Sequence, residues 1–291
     1  IKSVQPTFIW DIGPKTMMMR SLLLSLTCSL LSYTAHASSY NAYNYDMTTP
    51  MFTPDGRLLQ CEYASRAATW SSPLVVFKGT DFTVLVTTKS STRAQDRLIL
   101  LPDSHIVAMS GVLSDSLSLL SQLQKEMEHE QRLYGRAATM SALKIATILG
   151  NECQLHAFGG GIRPYGSNMV VCGVNEGVYQ TDSSGAVLQM KNVLTVVGGS
   201  ETRQAKIKSD IQKRLPLNGK EELGLHETLR RLAKILLQEN DSNKNNDGVP
   251  TQPKQEWLEV AVLSPIHGVH RLTEIQIQKL IQSINDKSKK L

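Results

Sequence analysis

Four cysteines and seven histidines are the side chains of this sequence best suited to hold a metal or to attack a carbonyl. Cys28, Cys61, Cys153 and Cys172 lie far apart, with no CxxC pair and no histidine at metal spacing. The pattern therefore indicates neither a zinc site nor a disulfide framework, and buried reduced thiols are the expectation. No Ser/His/Asp or Cys/His set with workable spacing emerges, and His105, His129 and His156 read as surface or satisfied core positions. A different kind of chemistry is suggested by "YDMTTPMFTPDGRLLQCEYASRA", Tyr45 to Ala67. Tyr45, Pro54 and Tyr63 stand nine residues apart there. Rings and a restrained turn supply contact area rather than bond-making groups.

The elements that must position these residues belong to an ordinary globular composition, 291 residues with 41% hydrophobic and 20% charged side chains. The net charge of +5 comes from 31 positive and 26 negative side chains spread along the chain, not gathered in a stripe, so a nucleic-acid partner is not expected. The opening "IKSVQPTFIWDIGPKT" reads as an incomplete or overextended start. From Met17, Arg20 precedes an apolar run, Leu22 to Leu31, and an Ala-x-Ala at Ala35 and Ala37. Residues 1–37 read either as a secretory leader with its cleavage site or as misassigned upstream sequence. The run is too short to span a bilayer.

Beyond the leader, Pro54 and Gly56 mark a turn, and Asp55 is placed to cap a helix with the stripe Leu59, Tyr63 and Ala67. "PLVVFKGTDFTVLVTT" and "RLILLPDSHIVAMSG" read as two hairpins. A helix with Leu113, Leu117, Leu120 and Met127 inward ends near Gly135, and a second carries Leu143, Ile145 and Ile148 inward. "NMVVCGV", "GVYQTD" and "VLTVVG" are strands, with a turn from Asp182 to Gly185. Helical period returns at Leu225, Leu229, Leu232 and Leu236. Residues 238–255 read as an exposed polar loop insertion. A strand pair, Trp257 to Leu263 and Val269 to Leu272, precedes a helix with a Thr273/Gln276 capping box and Ile277, Leu280, Ile281 and Ile284 inward. The whole describes a layered α+β domain with helices over two sheet faces.

The chain resembles an α-type subunit of the 20S proteasome. The opening stretch resembles that family's start motif, its Ser-Pro-Asp-Gly-Arg turn and its Gln-x-Glu-Tyr-Ala helix. "DSHIVAMSGVLSDS", "GGGIRPYGSNMVVCGVNEG" and "VYQTDSSGAV" resemble the internal blocks, in order. The resemblance implies a four-layer αββα sandwich of the N-terminal-nucleophile hydrolases over residues 38–291, with a gate segment and helix at 45–69. It also implies a place in the outer seven-membered ring of a barrel-shaped protease of ubiquitin-dependent degradation. The implied partners are neighbouring α subunits, β-type subunits and the C-terminal tails of activators. No cofactor, metal, nucleic acid or membrane is implied, and the implied location is cytoplasm and nucleus.

In β-type relatives an N-terminal threonine is served by its own amine, which a residue in mid-chain does not possess. Here the matching strand start is Ser71-Ser72-Pro73, with the preceding helix attached, and Thr88 falls where active subunits carry an aspartate. The resemblance therefore implies a non-catalytic subunit. The alternative is a self-processing β-type peptidase cut at Gly79-Thr80, which would sever the first hairpin. A third reading sends a divergent paralogue into the endomembrane system or an organelle through the Met17 leader. By resemblance Tyr45, Asp46, Pro54 and Tyr63 form the gate cluster, which the bland alternative reduces to helix-start packing. Met47 replaces the usual arginine. Arg97 stands where a pocket lysine holds the activator's terminal carboxylate, and Ser71 where a pocket glycine is usual. The segment Ser90 to Asp96 is shorter than the family's.

Overall fold

The computed structural model describes residue 45 and residues 50–89, 95–135, 139–159, 163–215, 224–244 and 257–288. The chain divides into two units, residues 1–47 and 48–291, and of the first only Tyr45 is described. The leader, Asp46 and Met47 lie outside the described residues.

β-branched, alternating runs make the strands. β1 (Leu74–Lys78) and β2 (Thr83–Lys89) form the first hairpin, and β3 (Leu98–Leu101) and β4 (His105–Gly111) the second, as their sequences predict. β5 (Ser167–Gly173), β6 (Val178–Thr181) and β7 (Val187–Met190) extend the second hairpin into a five-stranded antiparallel sheet, β3-β4-β5-β6-β7. β7 has no counterpart in the sequence reading, because its short run is exposed at two central positions and has no apolar alternation. The Asp182–Gly185 turn before it is held by the Asp182 carboxylate, which accepts from the Ser184 and Ala186 amides at 3.0 Å each. β8 (Leu194–Val197), β9 (Trp257–Ser264) and β10 (Gly268–Arg271) complete the other sheet, ordered β10-β9-β2-β1-β8.

Among the described residues six helices cover these sheets: α1 (Leu59–Ala68), α2 (Leu113–Tyr134), α3 (Ala142–Phe158), α4 (Glu201–Arg214), α5 (Leu225–Lys244) and α6 (Glu274–Ser288). Their apolar stripes divide the core into three. Val75, Val84, Val86 and Val260 meet Ile207, Ile211, Leu232, Leu236 and Ile284, which seats α4, α5 and α6 on the outside of one sheet. Val107, Met109, Met169 and Val171 meet Leu119, Leu123, Ile145 and Leu149, which seats α2 and α3 on the other. Leu74, Val76, Leu85, Ile106, Ala108, Val170 and Ala261 fill the space between the sheets. Unit 48–291 is thus a four-layer αββα sandwich, each layer held by area burial.

Several helix details differ from the sequence reading. Asp55 caps nothing: α1 starts after Leu58, and no side chain caps it. Its buried face is Ala64 and Ala68, while Tyr63 points out, because two small residues let α1 lie close against β4 and β5. In α2, Leu120 and Met127 are buried and Leu117 part-buried as read, Leu113 is exposed, and Leu119 and Leu123 join the buried stripe. Leu143 of α3 is also exposed, whereas Ile145 is buried. The 238–255 insertion begins as helix, since α5 continues to Lys244. The stripe of α5 and the Thr273/Gln276 capping box form as read, with Thr273 N–H donating to Gln276 Oε1 at 2.9 Å.

Candidate functional site at the head of the first strand

Backbone continuity defines this site. α1 ends at Ala68, where Thr69 and Trp70 donate their amides back to the Arg66 and Ala67 carbonyls, and the chain runs through Ser71, Ser72 and Pro73 into β1 without a break. Ser71 is 7% exposed. Its hydroxyl donates to the Ala68 carbonyl at 3.2 Å and meets the Ser110 hydroxyl at 2.8 Å. With the Ser71 proton committed to Ala68, Ser110 is the donor of the second bond. Gly198 closes over the pair with φ +78°, and a Cβ there would stand 2.2 Å from Ser110 Oγ and 2.7 Å from Ser71 Oγ. Only glycine fits both the backbone and the space. On the other side, Thr87 Oγ1 donates to the Pro73 carbonyl at 3.1 Å. The head of β1 is thus a continuous backbone segment held on both sides by hydrogen bonds.

Arg97 immediately precedes β3, half-buried, and its Nη1 donates to the Ser72 carbonyl at 3.4 Å. Burial lowers the pKa of this guanidinium and the nearby Glu259 charge opposes the shift, so it stays a cation. The structure thus brings Arg97 and the Ser71-Ser72 segment together at one end of the sandwich. Arg97 and Leu98 donate their amides to the two carboxylate oxygens of Glu259, at 3.0 and 2.9 Å. Glu259, 1% exposed, lies on β9 opposite Thr87. Lys89 Nζ stands 3.7 Å and Arg271 Nη2 3.3 Å from the same carboxylate, and both cations also bond Asp96. Asp96 is held down to about 2, first by its hydrogen bond from Arg271 and also by that from Lys89, against the opposing effect of burial.

Pro54 and Tyr63 belong to the turn and helix ahead of this site. Thr53 N–H donates to the Arg57 carbonyl at 2.9 Å and Gly56 N–H to the Thr53 carbonyl at 2.8 Å, which closes the turn around Pro54. Arg57 then pairs with Glu62 of α1, one of its bonds at 2.8 Å, fixing the turn to the helix. Pro54 is exposed, and Tyr63, Phe52 and Trp70 are 46%, 56% and 87% exposed. Asp46 is outside the described residues and Tyr45 belongs to the other unit.

The remaining candidates form no reactive set. Thr88 is buried, and strand alternation puts it on the same face as Val84 and Val86, towards the helices, whereas Thr87 shares the inter-sheet face with Leu85. Gly79-Thr80 is the turn between β1 and β2, closed by a 2.7 Å bond from Gly79 N–H to the Phe82 carbonyl. His105 is buried against Glu176, with Nε2 3.2 Å from Oε1. His156 stacks on Tyr165 with ring centroids 4.1 Å apart, and His129 is exposed. Among the described residues no cluster of His, Cys, Asp or Glu is arranged to hold a metal ion. Cys61, Cys153 and Cys172 are free thiols, the latter two buried; Cys28 lies outside the described residues.

Sequence reasoning passes over four residues that shape the region: Ser110, Gly198, Glu259 and Asp115. Glu259 alone carries a signal, a carboxylate at an inward position of the apolar run "WLEVAVLS". Asp115, 5% exposed at its side chain, accepts two bonds from Arg163 at 2.6 and 2.7 Å and a third from the Gly166 amide at 2.9 Å. This latch joins the start of α2 to the loop entering β5.

A family model described as "Proteasome subunit" matches residues 71–248, more than half of the chain. The chain is 29% identical over 251 residues to proteasome subunit alpha type-7 of Solanum lycopersicum, an alignment spanning 82% of this chain and 88% of that protein. It is 28% identical over 230 residues to a proteasome subunit alpha of Thermococcus sibiricus, spanning 76% and 80% respectively. With proteasome subunit alpha type-1 of Dictyostelium discoideum it shares 31% over 173 residues, 57% of this chain and 67% of that one.

Proposed function

The chain belongs to the proteasome subunit family, and its curated relatives are α subunits, so we propose that it is a non-catalytic, ring-forming and gating subunit of a 20S core. The observation that carries this reading is the unbroken passage of α1 into β1. Ser71 and Ser72 are bonded on both sides by peptide links, Ser71 is buried and hydrogen-bonded within the fold, and the Ser72 carbonyl receives the Arg97 guanidinium. A threonine-type mechanism needs a terminal amine as base at that point. The Gly79-Thr80 turn supplies none, since cleavage there would divide a paired hairpin.

Tyr45, Asp46, Pro54 and Tyr63 are proposed to order the entrance, with the exposed Pro54 turn and Tyr63 facing a neighbouring subunit. Arg97 is proposed to meet the terminal carboxylate of an activator tail beside Ser71. The partners are other α subunits, β-type subunits and activator tails, and the location is cytoplasm and nucleus. No helix among the described residues is long and apolar enough to cross a membrane.

Native mass spectrometry of the chain with its sister subunits tests the reading: a seven-membered ring or full barrel is expected, and an inert monomer overturns it. Treatment of the assembled particle with a threonine-directed epoxyketone should leave this polypeptide unlabelled and at full mass. Covalent labelling, or a product beginning at Thr80, would show instead a self-processing peptidase.

A further inference from the structure

Five charged side chains gather where β2, β9 and β10 approach the start of β3: Lys89, Asp96, Arg97, Glu259 and Arg271. Three are cations and two are anions. Lys89 and Arg271 each reach both carboxylates. Arg97 is treated differently. Glu259 takes hold of its backbone, through the Arg97 and Leu98 amides, while the guanidinium extends to a carbonyl, that of Ser72, at 3.4 Å. That bond is long for N–H···O, so the guanidinium retains donors for another acceptor.

We propose that Glu259 is the positioning residue for Arg97: it fixes the β3 backbone so that the guanidinium points to the head of β1, while Lys89 and Arg271 occupy its charge. The inference rests on the tail-docking reading above and adds a mechanism to it. A buried carboxylate beside an arginine ordinarily captures that arginine as an ion pair, which would silence it towards an incoming carboxylate. Here the negative charge is shared between two other cations, and the hydrogen bonds that grip Arg97 go to the main chain, leaving the Glu259 charge to act on the guanidinium from a distance. A two-point hold also restrains the residue in orientation, and a carboxylate ligand rewards orientation because its bonds to a planar guanidinium are directional. Strand geometry makes the hold possible. Glu259 shares the inter-sheet face of β9 with Ala261 and Leu263, so its carboxylate crosses the gap to the other sheet at the point where β3 begins.

The test uses the assembled particle and two fluorescent peptides of one sequence, one ending in a free carboxylate and the other in a carboxamide. In the parent particle the carboxylate peptide should bind about tenfold more tightly, equivalent to ~1.4 kcal/mol. Arg97→Ala should abolish that preference. Glu259→Asp keeps the cluster's charge and falls one methylene short of the two amides. It should therefore lose most of the preference while the carboxamide peptide binds as before. An equal weakening of both peptides marks a merely structural role and overturns the proposal, as does an unchanged preference in Glu259→Asp. Absence of any carboxylate preference in the parent, or its survival in Arg97→Ala, overturns the docking reading itself. Should Glu259→Asp not assemble, Glu259→Gln answers the same question. It leaves the cluster more positive, which favours an anion, so a lost preference there reports positioning and a kept one refutes it. Amide exchange at Arg97 and Leu98, expected to quicken in either variant, locates the change.

Discussion

Asp115 and Arg163 face one another across the start of α2, a two-point pair at 2.6 and 2.7 Å whose carboxylate also caps the Gly166 amide. The carboxylate is buried and the arginine's outer surface is wet, at 5% and 67% exposure. Removing the cation therefore leaves a buried anion with the Gly166 amide and a long 3.4 Å bond from the Ser114 hydroxyl. Arg163→Ala should lower unfolding stability by roughly 2 kcal/mol, the range for hydrogen bonds to charged groups. Denaturant titration checks this, and the Asp115→Asn, Arg163→Ala double-mutant cycle should return a clear coupling energy. Independent, additive effects would contradict the latch.

Acid should weaken the fold through two carboxylates. The Arg163 bonds hold Asp115 below the usual carboxylate range, and Asp96 is held at about 2 by Arg271 and Lys89. An unfolded aspartate titrates near ~3.9. Folded values below the unfolded one add stability that is complete above the unfolded value and disappears as pH falls through the folded value. Unfolding free energy should therefore be flat in this respect at neutral pH and decline from about pH 4 towards about pH 2. Asp96→Asn should make that decline shallower in a pH series of denaturant melts.

Gly198→Ala should destabilise the sandwich. The φ of +78° costs a side-chain-bearing residue, and the new methyl would stand 2.2 Å from Ser110 Oγ. Together these amount to ~1–3 kcal/mol. Adding Ser110→Ala should recover the Ser110 share of the steric part and leave the Ser71 contact and the backbone part, which differential scanning calorimetry resolves as a partial return of Tm.

Thiol chemistry should separate the cysteines. Burial pushes Cys153 and Cys172 up to about 12, and Cys61, partly exposed, is raised less completely out of reach. Iodoacetamide at about pH 8 should modify Cys61 first and reach Cys153 and Cys172 only on unfolding. Peptide mass spectrometry with and without denaturant reads the order.

Much of the sandwich is written locally. The hairpins around Lys78 and Pro102, the α5 stripe and the Thr273/Gln276 cap follow from alternation, helical period and a two-residue capping code. Helix faces that pack on close-lying strands are harder to read. In α1 the aromatic ring, Tyr63, faces out because Ala64 and Ala68 permit the shorter approach, and in α2 and α3 the exposed Leu113 and Leu143 imitate core positions. At the candidate site, Arg97 and Ser71 are legible only by resemblance. The Ser71–Ser110 pair, the Gly198 lid over it and the Glu259 hold join residues 39, 127 and 162 positions apart, and no local pattern encodes such distances.

The join between α1 and β1 also sets the direction in which such a chain can change. A free α-amine at the head of the strand cannot be created by exchanging one side chain for another; only scission of the polypeptide ahead of Ser72 makes one. That cut would detach α1 together with Ser71 and Ala68, and would break the backbone that holds the Ser71 hydroxyl against Ser110. A free amine at that point and the continuous approach of α1 to the strand are thus mutually exclusive in this chain.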